Sequence, residues 1–173
     1  TPLTVTGRAT PLADAPTATL TARVEALNVA NFAPDAGLES ALSAAVDVKA
    51  QALGTDAQTL DATLRLDSSR VGRQPIAGGT VTTTLSPDRA ELDGRLALPD
   101  GAVTAVGSVA FDGSNTFALA PLRLDNVNPV ALLGDTTASR VSGTLEVQGR
   151  GFAPDSMTVD ADLALSDSYY GPY

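Results

Sequence analysis

Asp160 and Asp162, two residues apart in the stretch TVDADLAL, come nearer to hydrolytic chemistry than anything else in this sequence. A glycosidase needs two carboxyl groups that face each other across a concave site. Two residues on one strand face point the same way, and the sequence offers no second wall to enclose them. Asp56 and Asp155 open equivalent turns, after Gly54-Thr55 and Ala153-Pro154. They read as turn formers whose carboxylates satisfy local backbone donors. Calcium takes roughly six to eight oxygen ligands, and no loop is dense enough in Asp to supply them. With no Cys and no His, thiol nucleophiles, histidine bases, the usual zinc sites and Ser-His-Asp triads are excluded. The residues predict no catalytic group, no metal site and no cofactor, and hence a protein that is not an enzyme.

Charge narrows the partners. Twenty acidic residues, 16 of them Asp, face ten Arg and the single Lys49, for a net charge of −9. Phosphate backbones are repelled by such a surface, so no nucleic-acid partner is expected. The 43% hydrophobic content comes mostly from Ala, Leu and Val, with four Phe, three Tyr and no Trp. Apolar surfaces are therefore smooth and aliphatic. No apolar run reaches the roughly 18 residues of a membrane-spanning helix. The start at Thr1, without initiator Met or signal segment, reads as an excised or processed piece.

Side-chain character alternates with period two over 80–85, 90–98, 103–111 and 117–124, the pattern of half-buried strands. The turns SPDR (86–89), PDG (99–101) and DGSN (112–115) separate them. An antiparallel meander follows. Further strands are predicted at about 3–9, 18–27, 42–53, 57–68, 139–150 and 156–167. One short helix is predicted over Asn128–Gly134, with Asn128 as N-cap and Pro129 at the first helical position. The segment from Asn28 to Gly37 is expected to form a looser turn, because Pro34 interrupts a longer helix.

The chain also repeats itself. Residues 42–74 and 141–173 align without a gap at an offset of 99, with identities that include Ser43/Ser142, Asp61/Asp160, Leu64/Leu163, Ser69/Ser168 and Gly72/Gly171. Upstream, LNV at 27–29 aligns with DNV at 125–127. A repeat of this kind predicts units that stack on one another within one all-β segment, 1–173, of a longer protein.

Alternation assigns the faces. Leu60, Leu64, Leu66, Leu92, Leu96, Val103, Val109, Phe111, Leu119, Val159, Leu163 and Leu165 fall on one face, and Asp61, Arg65, Glu91, Asp93, Thr104 and Asp160 on the other. Burying each Leu contributes roughly 1.5–3 kcal/mol, so the aliphatic face must be covered. Ala62, Gly94, Ala105, Gly107, Gly143 and Ala161 lie among the large residues. Small residues let a sheet curl tightly and stay open as an aliphatic groove, or let two sheets approach as a duplicated β-sandwich. An exposed aliphatic wall and unpaired edge strands both favour self-association, through the groove or the edges.

The run RVSGTLEVQGRGFAPDSMTVDADLALSDSYYG, from Arg140 to Gly171, resembles the AsmA-like superfamily, in particular its translocation and assembly module branch. The resemblance lies in an SGTL strand, a Gly-rich turn, an acidic turn residue, an alternating TVDADLAL strand and a small or aromatic ending. The preceding LRLDNVNPVALLG is similar to that family's connector of strand and short helix. In the earlier copy Ala44 and Ala45 replace the Gly-Thr of the pattern. The resemblance implies an elongated, mostly antiparallel sheet curled into a half-pipe, the β-taco. It implies a periplasmic location in a diderm bacterium, as part of an inner-membrane-anchored bridge that serves outer-membrane biogenesis and phospholipid transport. Phospholipid acyl chains would line its groove, and an outer-membrane assembly protein is an implied partner. The contrasting expectation is a structural or adhesive β-sandwich spacer of the cell envelope.

Overall fold

The computed structural model describes residues 2–11, 14–28, 30, 40–72, 74–129, 137–152 and 155–171. Twelve strands make up the fold: β1 (Leu3–Thr10), β2 (Thr17–Leu27), β3 (Ser40–Gln51), β4 (Thr59–Leu66), β5 (Ser69–Val71), β6 (Gln74–Ile76), β7 (Gly78–Leu85), β8 (Arg89–Ala97), β9 (Ala102–Ala110), β10 (Thr116–Val127), β11 (Ser139–Arg150) and β12 (Thr158–Tyr170). Ten of them form one open antiparallel sheet in the order β1-β2-β3-β4-β7-β8-β9-β10-β11-β12. The sheet does not close: β1 and β12 are its two edges.

Extensive contact between strands runs only between ladder neighbours and along the β3-β5-β6 branch. No second sheet stacks on the first among the described residues, so the architecture is a single layer rather than a sandwich. The predicted strands all occur, with ends shifted by a few residues. Of the predicted helix, Pro129 is helical and 130–134 lie outside the described residues. In the looser turn, Ala30 is in a 3₁₀ conformation and 31–37 lie outside them too. The hairpin β5–β6 was not expected.

Four bulges bend the sheet and raise its local twist; in β12 one lies between Ser166 and Tyr169 against β11, where Asp167 (φ 43°) has left-handed backbone. One extra residue sits in β10 between Leu119 and Leu122, opposite Gly107 and Ala105 of β9. The other two are equivalent: between Val24 and Leu27 against β3, and between Leu124 and Val127 against β11. Ala26 (φ 49°) and Asn126 (φ 50°) occupy them with left-handed backbone. Their amides donate to the Oγ atoms of Ser43, at 3.2 Å, and Ser142, at 3.0 Å.

These bulges correct the upstream alignment. Leu27 pairs with Leu42 and Val127 with Val141, so Asn28 corresponds to Asn128 and not to Asn126. Asn28 Oδ1 accepts from the amides of Ala30 and Ser40, both at 3.1 Å. Ser139, the counterpart of Ser40, donates through its hydroxyl to Asn128 Oδ1 at 2.6 Å.

Candidate functional site: an uncovered aliphatic face

In an antiparallel ladder, residues directly opposite each other share a face. Following the register from strand to strand therefore lays out each face in rows. The row through Leu64 reads Val5, Ala22, Val46, Leu64, Val81, Gly94, Ala105, Leu122, Leu145 and Leu163 across all ten strands. Three parallel rows pass through Leu66, Ala62 and Leu60. In all four, Thr83 is the one polar residue, between Ala62 and Leu92. At about 4.8 Å per strand the face is roughly 43 Å across the strands. The bulge in β10 keeps this arrangement in phase: without its extra residue, one half of that strand would turn its Leu residues to the wet side.

Eleven of the twelve sequence-assigned lining residues lie in these rows. Leu60, Leu64, Leu66, Leu96, Val103, Val109 and Leu119 are half-buried, while Leu92, Val159, Leu163 and Leu165 are exposed, Leu163 at 63%. Phe111 departs from the pattern. It follows the end of β9, its amide donates to the Asp88 carbonyl at 2.7 Å, and its ring meets that of Phe152 at 6.2 Å between centroids. This aromatic pair stands at the rim and not in a row. Sequence reasoning named no lining residue in the first hairpin and passed over others within the meander and the repeat. The face also takes in Leu3, Val5, Leu20 and Val24 of the first hairpin, and Leu122 and Leu145, all carrying the same alternation.

One end of the face is covered. The β5–β6 hairpin branches from the start of β3, where Ser40 pairs with Val71. Its Ile76 forms the buried core with Leu98 and Val127, and Val71, Leu96, Val103 and Leu124 pack against them. Elsewhere the face lacks a lid among the described residues, none of which falls below 2% exposure.

The opposite face is polar. Asp47 accepts from Thr21 Oγ1 at 2.9 Å and pairs with the guanidinium of Arg65. The Thr21 hydroxyl and then Arg65 hold its carboxyl below the usual 3.8. Asp160 and Asp162 lie on this face at the β12 edge, opposite Gln148 and Glu146. In the first turn of the repeat, Thr55 and Gln58 hold the backbone, and not Asp56: Ala57 N–H donates to Thr55 Oγ1 at 3.2 Å and Gly54 N–H to Gln58 Oε1 at 3.0 Å.

Chemically, the aliphatic face can take up hydrocarbon without anchoring it. Each buried methylene contributes about 0.8 kcal/mol, spread over Leu, Val, Ala and Gly with no directional bond. No group of three or more potential metal ligands occurs among the described residues. No helix among the described residues is long and apolar enough to cross a membrane. Compared with family models, with curated proteins and with solved structures, the chain matches none.

Proposed function

We propose that this chain is a lipid-conduit segment of an AsmA/TamB-like periplasmic bridge, whose aliphatic face carries phospholipid acyl chains between membranes. The observation that carries the reading is the uncovered face: four rows crossing ten strands, interrupted only by Thr83. A face of this extent left in water would be strongly unfavourable, and its smoothness suits a ligand that must translate. The sequence resemblance supports the same reading, with the periplasm and the inner-membrane anchor as its corollaries. A sandwich spacer would instead bury this face beneath a second sheet.

The test is native mass spectrometry of the chain expressed in a bacterial periplasm, with lipid extraction of the same sample. Phospholipid is expected to co-purify, and to be lost from the Leu64→Asp/Leu145→Asp variant while circular dichroism retains the β signature. A folded wild-type protein that is free of lipid and leaves added phospholipid micelles unbound would overturn the proposal.

A further inference from the structure

β1 and β12 are exposed along their whole lengths, and the repeat indicates what fits against β12. β12 is the counterpart of β4, 99 residues on, and the outer edge of β4 is paired by β7. That ladder sets Leu60 opposite Leu85, Leu64 opposite Val81 and Leu66 opposite Gly79. On its polar side Thr84 Oγ1 donates to Asp61 Oδ1 at 2.9 Å. β1 has the character of β7: both carry the triplet Thr-Val-Thr, at 4–6 and 80–82, with Val on the aliphatic face and Thr on the polar one.

We infer that copies of this chain associate head to tail, with β12 of one copy pairing antiparallel with β1 of the next in the register of β4 with β7. Transferred to the edges, that register sets Leu165 opposite Leu3, Leu163 opposite Val5, Ala161 opposite Gly7 and Val159 opposite Ala9. Every residue of the aliphatic rows meets an apolar one, and on the polar side Asp160 meets Arg8. The strand directions agree: β3 is antiparallel to β4 and β1 runs with β3, so β1 of the next copy opposes β12 and keeps its aliphatic face on the same side. A one-residue slip would turn Arg8 onto the aliphatic rows.

Charge selects this pairing over the symmetric one. The polar side of the β12 edge holds Asp160 and Asp162, with Glu146 beside them, whereas the β1 edge holds Arg8, with Arg23 on β2 opposite Thr4. Two β12 edges paired around these residues would place carboxylates against carboxylates, which is destabilising. A head-to-tail contact does not close on itself as a two-fold dimer does. It continues the aliphatic rows from copy to copy, and it stands whether or not those rows carry lipid.

The chain has no Cys, so cysteine crosslinking starts from a clean background. Under a short bismaleimide without lipid, the Val5→Cys/Leu163→Cys variant is expected to give a ladder of dimers, trimers and longer species. Either single variant should remain monomeric, and an equimolar mixture of the two should stop at the dimer. Arg8→Asp or Asp160→Arg alone should lower the association constant roughly two- to fivefold, and the two together should restore it. Three results would overturn the inference: no species beyond monomer, dimers from Leu163→Cys alone, or an equal ladder from the out-of-register Ala9→Cys/Leu163→Cys variant.

Discussion

The hydroxyl of Ser69 clasps the backbone of Ser43. Its Oγ accepts from the Ser43 amide at 3.0 Å and lies 3.4 Å from the Ser43 carbonyl and 2.8 Å from that of Asp67. Ninety-nine residues on, Ser168 does the same to Ser142, at 3.1 Å from both amide and carbonyl, with the Ser166 carbonyl at 2.9 Å. The serines the repeat preserves are thus not surface decoration. They pin the chain between β4 and β5 in the first copy and at the bulge between Ser166 and Tyr169 in the second, where β12 goes on pairing with β11.

Removing the clasp strands a backbone amide, and the cost depends on burial. Ser69 is buried and Ser168 exposed. Ser69→Ala is therefore expected to cost about 1–2 kcal/mol, with Ser168→Ala costing less because water replaces the hydroxyl. Urea unfolding of both variants checks the order. Equal losses would mean that burial does not set the worth of this contact.

Glycine is required at 101. A Cβ there would lie 2.0 Å from the Asp125 carbonyl oxygen, where Asn126 also donates its side-chain amide to the Asp100 carbonyl. Gly101→Ala must move backbone and is expected to cost about 1–3 kcal/mol. At Gly94 a Cβ would make only ordinary contacts, with Val81 Cγ2 at 3.4 Å and with Val81 Cγ1 and the Ala105 carbonyl oxygen at 3.9 Å. Gly94→Ala is expected to be neutral or stabilising by up to about 1 kcal/mol, and thermal unfolding of the two variants should move in opposite directions.

Asp47 titrates below the usual 3.8 because the Thr21 hydroxyl, and then Arg65, favour its ionised form. With the folded value lowered, its contribution to stability is complete above the unfolded value and is lost as pH falls through the folded one. Carbon-detected NMR titration should place Asp47 below 3.8, and Thr21→Val and Arg65→Gln should each raise it. Asp47→Asn should flatten the loss of stability in that acid window. An Asp47 that titrates at the ordinary value in the intact protein would remove the basis for both expectations.

The strands and their faces were legible because one side of each is aliphatic and the other polar, which fixes register with period two. The lining residues followed directly, apart from Phe111, which has the right parity but stands beyond the last ladder pair, where parity no longer determines direction. The β5–β6 hairpin was not legible. Ser69–Val71 and Gln74–Ile76 are three residues each, too short for a period, and they carry Arg70, Gln74 and Pro75. Ile76 is buried by tertiary packing on Leu98 and Val127, which no local pattern encodes. The two-residue error in aligning Asn28 has another cause: the bulges before it are equivalent, the ladders pair Leu27 with Leu42 and Val127 with Val141 across connections that differ by one residue, and sequence similarity followed the letters and not the ladder.

Thr83 offers the sharpest check on the assignment of faces. It is half-buried among Ala62 and Leu92, whereas its neighbour Thr82 stands on the polar side, where its hydroxyl donates to the Asp93 carbonyl at 3.3 Å. Thr83→Val swaps a hydroxyl for a methyl of similar volume on the aliphatic face, so it should leave the fold intact and stabilise it by up to about 1 kcal/mol. Under the lipid reading it should also raise the amount of phospholipid retained, because the row through Ala62 becomes unbroken. Thr82→Val removes a hydrogen bond and adds apolar surface to the wet side, so stability should fall slightly and lipid retention stay unchanged. Unfolding and lipid extraction on the pair decide the matter: were Thr82→Val the stabilising change and Thr83→Val the costly one, the aliphatic rows would have been placed on the wrong side of the sheet.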